Sequence, residues 1–401
     1  VGLLAGVLAL VPSLAFANAG TPLMWAGMLY LCGGNVLLGM AEGFVLAKWF
    51  GLPVKRCMGW MIVANLLSAW VGQALLPNAF LAGLGLDTLP HLRTGLVVAL
   101  IAAWVLTLLI EWPFMALCFR GASGWLRKSV MATLAIQTVS CLVIGAFFLS
   151  VSYFTLLTEH RIVPSEELPW PPGLTVYHLD PDGVRVRAFD TDTGDSRVVH
   201  RMDSVHQSQR SVIFFAEEPN SKESRVHRLL AGRLGRSTED VAAREDLGVE
   251  VDTSSIVRMW DLSERNQEPR YPFGSAWHPY DLAGGPVSIN KPPADLQGFR
   301  QGFWAAEGLD YTIGDEEKER SYQLSIETPY AMWGVRQTMH VGDGILMFVL
   351  GNDQICLLDM RTQRVALKMR GFGAMAVPKD AVVEVSGSAS PAATGGQEGE
   401  E

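Results

Sequence analysis

The chain has 401 residues, 49% of them hydrophobic, and a formal net charge of −9. Its two parts differ sharply: residues 1–158 hold seven Lys/Arg against three Asp/Glu, whereas 159–401 hold 25 against 38. The first composition suits lipid and the second water, and an acidic soluble part without clustered Lys/Arg excludes nucleic acid as a partner, since phosphate binding needs such clusters.

Residues 1–17, VGLLAGVLALVPSLAFA, predict an export signal. An apolar run leads to Pro12, and Ala15-Phe16-Ala17 gives the small-x-small pattern of a signal peptidase site, so the mature chain would begin at Asn18. The alternative is an uncleaved first helix, which at this length sits at the short limit for spanning a bilayer.

Four apolar runs follow, at roughly 22–47, 58–76, 94–118 and 129–154, each close to the ~20 residues that cross a bilayer. The first loop carries Lys48, Lys55 and Arg56, and the third carries Arg120, Arg127 and Lys128. The second has Asp87, His91 and Arg93. An excess of Lys/Arg marks the cytoplasmic side, so the mature N-terminus and everything beyond Phe154 are expected outside the cytoplasm. Trp25, Trp49, Trp60, Trp70, Trp112 and Trp125 stand mostly near span ends, as interfacial anchors do. The implied location is the inner membrane, multi-pass, with the lipid bilayer as the first partner.

The two cytoplasmic hairpins repeat a pattern. One descends through Glu42, turns at Lys55-Arg56 and ascends through Asn65 and Ser68; the other descends through Glu111, turns at Arg127-Lys128 and ascends through Gln137 and Ser140. Each amide follows its basic turn by nine residues, about 13 Å of helix rise. Both hairpins therefore set a carboxyl, an amide and a hydroxyl in the cytoplasmic half of the bilayer, which implies a parallel repeat about an axis along the membrane normal. Glu42, Asn65, Ser68, Glu111, Gln137 and Ser140, with Asn35 in the first span, are the candidate site residues. Two roles compete for them: interhelical hydrogen bonding, or an ion or ligand pathway, because intramembrane carboxylates are costly. The Gly33-Gly34-Asn35 stretch suits close helix packing.

From about residue 165 the pattern becomes short and alternating. Strands are predicted at Val184–Ala188, Val212–Phe215, Ser224–Leu230, Ile345–Leu350, Gln354–Leu358 and Arg364–Met369, and a hairpin at Leu309–Ile313 and Tyr322–Ile326. The intervening turns are rich in Asp, Asn and Gly. One short helix is expected at 237–248, with Ser237 capping it and Asp240 at the capping-box position. The predicted organisation is a signal peptide (1–17), a four-helix transmembrane domain (18–158), an extracytoplasmic β-rich domain (159–384) and a disordered tail (385–401). The fold class is a membrane α-helical bundle plus an all-β domain, propeller-like or a β-sandwich.

Two turns, Asp190-x-x-Thr193-Gly194 and Asp359-x-x-Thr362-Gln363, each join two strands and resemble the outer hairpin of a quinoprotein-like β-propeller blade. That resemblance implies blades of about 40–45 residues, four or five of them within 173–380. The stretch Ala17–Trp25 resembles bacterial membrane proteins to which no activity is assigned.

The second half contains His160, His178, His200, His206, His227, His278 and His340, with no H-x-H or H-E-x-x-H spacing. There is no C-x-x-C or glycine-rich phosphate loop and no G-x-S-x-G or S-x-x-K motif that suits nucleophilic catalysis, and Cys356 is the second half's lone cysteine. Trp260, Trp277, Trp304 and Trp333 read as core. No catalytic residue, metal site or cofactor is therefore expected. Three functions follow in order: a membrane-held β-domain that binds or scaffolds a protein partner outside the cytoplasm; a transporter or channel subunit using the intramembrane Glu, Asn and Gln; and an exported enzyme held at the membrane.

Overall fold

The computed structural model describes residues 29–75, 79–202, 211–216, 226–234, 241–252, 256–258, 287–289, 296–301, 308–314, 320–328, 332–351 and 353–383. The predicted signal at 1–17, the tail at 385–401, Trp260, Trp277, Trp304, His206 and His278 lie outside them. The chain divides into two compact units: 1–168 with 299–335 and 362–367, and 169–298 with 336–361 and 368–401.

The first unit is built on four long helices: α1 (Asn35–Phe50), α2 (Val54–Leu75), α3 (Leu92–Cys118) and α4 (Trp125–Val151). Of these, the stretches Leu89–Cys118 and Trp125–Val151 are long and apolar enough to cross a membrane. Helix α1 stops where Gly51 turns left-handed (φ 65°) and its N–H caps the Ala47 carbonyl, with Pro53 two residues on to prevent continuation. Helices α1 and α2 touch backbone to backbone. A Cβ on Gly39 would lie 2.7 Å from the Ile62 Cα, and one on Gly43 would lie 2.5 Å from the Met58 Cα, so this contact admits only glycine.

The helices are apolar on their outer surface: Leu37, Phe44, Leu67, Val97, Ile101, Leu109, Val139, Leu142 and Leu149 are all exposed. Inside, Leu46, Ala47, Cys57, Met61, Ala64, Met115, Cys118, Phe119, Ala132 and Ile136 form a core to which all four helices contribute. It lies at the end of the bundle that carries the basic turns. There the Arg56 guanidinium donates to the Leu117 carbonyl, tying the first turn to the end of α3.

Beyond α4 the same unit continues through a one-turn helix, Thr155–Thr158, and a two-residue strand, Arg161–Ile162, that pairs in parallel with Arg364–Val365. The strands Leu309–Ile313 and Arg320–Leu324 form the expected hairpin, in register from Leu309↔Leu324 to Ile313↔Arg320.

The second unit is β-rich and its sheets are open. One sheet runs Phe372–Pro378, Leu174–Leu179, Arg185–Asp190, Ser196–Arg201. Another runs Val382–Val383, Val241–Asp252, Val226–Leu234, Ser211–Ala216. In a third, Gln354–Asp359, Ile345–Leu350, Val335–Gly342, Val287–Ile289 and Ile256–Arg258 lie side by side in that order. The strands predicted by alternation are all present, within a few residues of the expected ends. The helix expected at 237–248 is not: Val241–Asp252 is a strand paired antiparallel with Val226–Leu234. Ser237 lies outside the described residues. The local capping signal lost to cross-strand pairing, and Gly248, at φ 67° with its N–H on the Asp246 carboxylate, holds a dihedral no helix contains. The two blade-like turns share one feature: Gly194 and Gln363 both stand at positive φ, 76° and 52°.

Candidate functional site

Every helix of the bundle turns one polar face inward. Glu42 and Asn35 lie two turns apart on the buried face of α1, Asn65 and Ser68 lie on α2, Glu111 on α3, and Gln137 and Ser140 on α4. Glu42, Asn65, Glu111 and Gln137 are each at most 4% exposed.

The side chains meet. The Asn65 amide donates to Glu42 Oε2 at 2.7 Å, and the Gln137 amide donates to Glu111 Oε2; these bonds stay within a hairpin. The hydroxyls cross over: Ser68 donates to Glu111 Oε1 at 2.5 Å, and Ser140 donates to Glu42 Oε1. Each carboxylate thus accepts an amide from its own hairpin on Oε2 and a serine from the other hairpin on Oε1. That is the bonding a two-fold axis would generate, and it obeys the repeat legible in the sequence. The axis reappears toward the basic turns, where Phe50 and Phe119, each eight residues after its glutamate, pack edge to face with centroids 5.0 Å apart.

The symmetry breaks at the amides. Asn65 is one methylene shorter than Gln137, and its Nδ2 also donates back to the Met61 carbonyl of its own helix at 3.0 Å. Gln137 reaches further, and its Nε2 lies 3.3 Å from Glu42 Oε2 as well. One amide nitrogen therefore contacts both carboxylates, which brings the two acids together at the centre of the bundle. Near the basic turns, Ser129 Oγ accepts from the Trp112 indole at 3.3 Å and donates to the Leu126 carbonyl at 2.9 Å.

Six of the seven predicted residues form this network, and Asn35 is buried two helical turns before Glu42. Among the described residues there is no group of three or more His, Cys, Asp or Glu disposed to hold a metal. Several of the described histidines are individually engaged. His200 meets Glu245 at 3.0 Å. His340 accepts from the Gly344 N–H, and burial pulls its imidazole down to about 4. Burial likewise lowers His178 and raises the thiol of the fully buried Cys356, making it a poor nucleophile. Trp333 is 8% exposed and sits in the core.

Sequence reading missed two arrangements. One is the Lys379 ammonium, 2.6 Å from both Asp190 and Asp192. The other is His160, which pairs with Tyr311 at 3.0 Å. Both join residues more than 150 positions apart, for which no local pattern gives a signal. No family model, no curated protein and no solved structure matches the chain.

Proposed function

We propose that this chain is an integral membrane protein of four spans that holds a β-rich domain outside the cytoplasm as a binding or scaffolding surface. On this reading the carboxylate–amide–hydroxyl centre is the fastening of the bundle. The carrying observation is that the centre is closed: each oxygen of Glu42 and of Glu111 meets a donor from the bundle itself. Closed networks of this kind fix helix register, each bond contributing about 0.6–2 kcal/mol in a bilayer. The apolar outer surface supports immersion in lipid, and the Lys/Arg of the first and third loops support the direction. The blade resemblance of the two Asp-x-x-Thr turns, with a positive φ at the same position in each, supports a propeller-like reading of the β-rich half, whose surfaces commonly serve recognition. The partner implied is a protein outside the cytoplasm.

A reporter active only outside the cytoplasm tests the topology. Fused after Thr158 it should be active, and fused after Lys55 it should be silent; the reverse result removes the proposal.

A second reading is favoured by one observation, the Gln137 amide that contacts both carboxylates. Two acids gathered on the axis of a repeated bundle also suit a subunit that binds and passes a proton or small cation. Glu111→Gln separates the two. A fastening keeps most of its hydrogen bonds and its melting temperature in detergent. A pathway keeps its fold but loses proton or cation flux into vesicles carrying the protein, with partial recovery in Glu111→Asp.

A further inference from the structure

The outer end of α4 is clasped to the strands that return to the first unit late in the chain. Tyr153 and Glu327 exchange backbone hydrogen bonds, at 3.2 and 2.6 Å. The Leu156 N–H donates to the Ser325 carbonyl at 3.0 Å. The Ser325 N–H donates to Thr155 Oγ1 at 3.0 Å, and the two hydroxyls lie 3.1 Å apart. These bonds join groups whose charge does not change with pH. The last fastening is different in kind. His160, 4% exposed, places Nδ1 3.1 Å from the Thr155 carbonyl and Nε2 3.0 Å from the hydroxyl of Tyr311, itself 1% exposed. A carbonyl only accepts, so Nδ1 carries the proton, and Nε2 is the lone pair that receives the tyrosine O–H. Tyr311 in turn stacks on Tyr322 across the hairpin, with centroids 5.4 Å apart.

We propose that the His160–Tyr311 contact is an acid-released latch that fastens the hairpin Leu309–Leu324 to the outer end of the fourth helix. Proton uptake at Nε2 turns the acceptor into a donor. The Tyr311 hydroxyl can then no longer donate to that nitrogen, and the bond as it stands is lost. The imidazolium is left buried, and opening the hairpin to water relieves that penalty.

Among the described residues, charged and titratable groups near the ring come from several neighbouring elements. Glu159 and Arg161 flank it on its own segment. Arg93 reaches over from α3 to donate to the Leu157 carbonyl at 3.1 Å. Arg364 lies on the strand paired with Arg161. Tyr311 and Tyr322 face it from the hairpin, and Glu327, 2% exposed, lies at the other end of the clasp. Of these, Glu159 favours the charged imidazole, but burial outweighs it and holds the ring below its ordinary pKa. Because the closed state disfavours the proton, the latch is at full strength above about pH 6.5, the ordinary imidazole value. It weakens as pH falls below that, while opening takes up the proton.

Hydrogen–deuterium exchange of the full chain in detergent micelles, read on peptides covering 309–313 and 320–324 and corrected for the intrinsic rate, tests this. Between pH 7.5 and 5.0 the opening of both strands should increase, by up to about tenfold per pH unit below 6.5, the limit for one proton. His160→Gln should abolish that acid response. Tyr311→Phe should raise opening at pH 7.5 by about fivefold, the equivalent of ~1 kcal/mol for one net hydrogen bond. An unchanged wild-type opening at pH 5.0, or a full acid response in His160→Gln, overturns the latch. Should His160→Gln fail to fold, carbon-13 NMR titration of the His160 ring in the wild type decides the matter. A midpoint below 6.5 that coincides with hairpin opening supports the latch, and an ordinary midpoint with no opening refutes it.

Discussion

In the helical bundle the exposed side chains are Leu37, Phe44, Ile101, Leu142 and Leu149, while Glu42, Asn65, Glu111 and Gln137 are buried. In the β-rich unit the arrangement is reversed. Leu346, Phe348, Ile355, Leu357 and Val377 are buried, while Asp192, Asp195 and Arg197 face outward. The same twenty residue types have been sorted twice, in opposite senses. A core of apolar side chains is stabilised when water is the alternative. When hydrocarbon is the alternative, apolar contact between helices gains little over contact with lipid, and close backbone approach together with hydrogen bonding takes over. The glycines facing Met58 and Ile62 give close approach and the two-fold polar centre gives hydrogen bonding, as the proposed setting in lipid requires.

The contrast can be broken at its strongest point in the β-rich unit. Leu357 is fully buried in the strand Gln354–Asp359. Leu357→Ala should cost about 2–5 kcal/mol, read as a lowered denaturant midpoint for strand signal. The chemically identical change Leu142→Ala, on a side chain 69% exposed on α4, should stay within about 0.5 kcal/mol. Equal losses at the two positions would mean that the outward face of α4 is covered by protein.

An intermediate effect is expected inside the bundle, where the sensitive atoms are small or polar. Gly43→Val drives a side chain into the Met58 backbone and should cost about 1–3 kcal/mol or more, as overpacking does. Glu42→Leu, similar in bulk, leaves the Ser140 hydroxyl without its carboxylate acceptor and the Asn65 amide with the Met61 carbonyl of its own helix, at about 1–3 kcal/mol for the stranded hydroxyl. Thermal melts in detergent check both, and a stable Glu42→Leu bundle would remove the fastening role.

The smallest effect sharpens the comparison at an exposed ion pair. Lys379 and the backbone N–H groups of Thr193 and Asp192 hold Asp190 down to about 2 from 3.8. Lys379→Met should let Asp190 rise part of the way back, since the backbone donors remain, and carboxyl NMR titration would show it. Because the carboxylate is favoured in the folded state, its contribution is present above pH 3.8 and lost as pH falls toward 2. The pair lies at the surface, where solvent screens it, so no measurable change in melting is expected at neutral pH.

The periodicities were legible because they are local. Alternation over five or six residues placed Ile345–Leu350 and Gln354–Asp359, and apolar runs placed α2, α3 and α4 within a few residues of their observed ends, while the run expected at 22–47 begins outside the described residues. The repeat of carboxyl, amide and hydroxyl was legible as well, because amide and serine three positions apart share a helix face in both hairpins. The strand at Val241–Asp252 was misread as a helix because its partner, Val226–Leu234, enters through pairing that a capping signal cannot report.

What the sequence by itself determined is therefore the sorting: which segments are long apolar runs, which alternate, and which polar residues share a helix face within the apolar runs. The tertiary structure alone decided the partners. That Ser68 bonds Glu111 and not Glu42, that Gln137 spans both acids where Asn65 folds back on Met61, and that His160 meets Tyr311 across 151 positions are consequences of reach and packing angle. A difference of one methylene settles them, and no spacing along the chain encodes it.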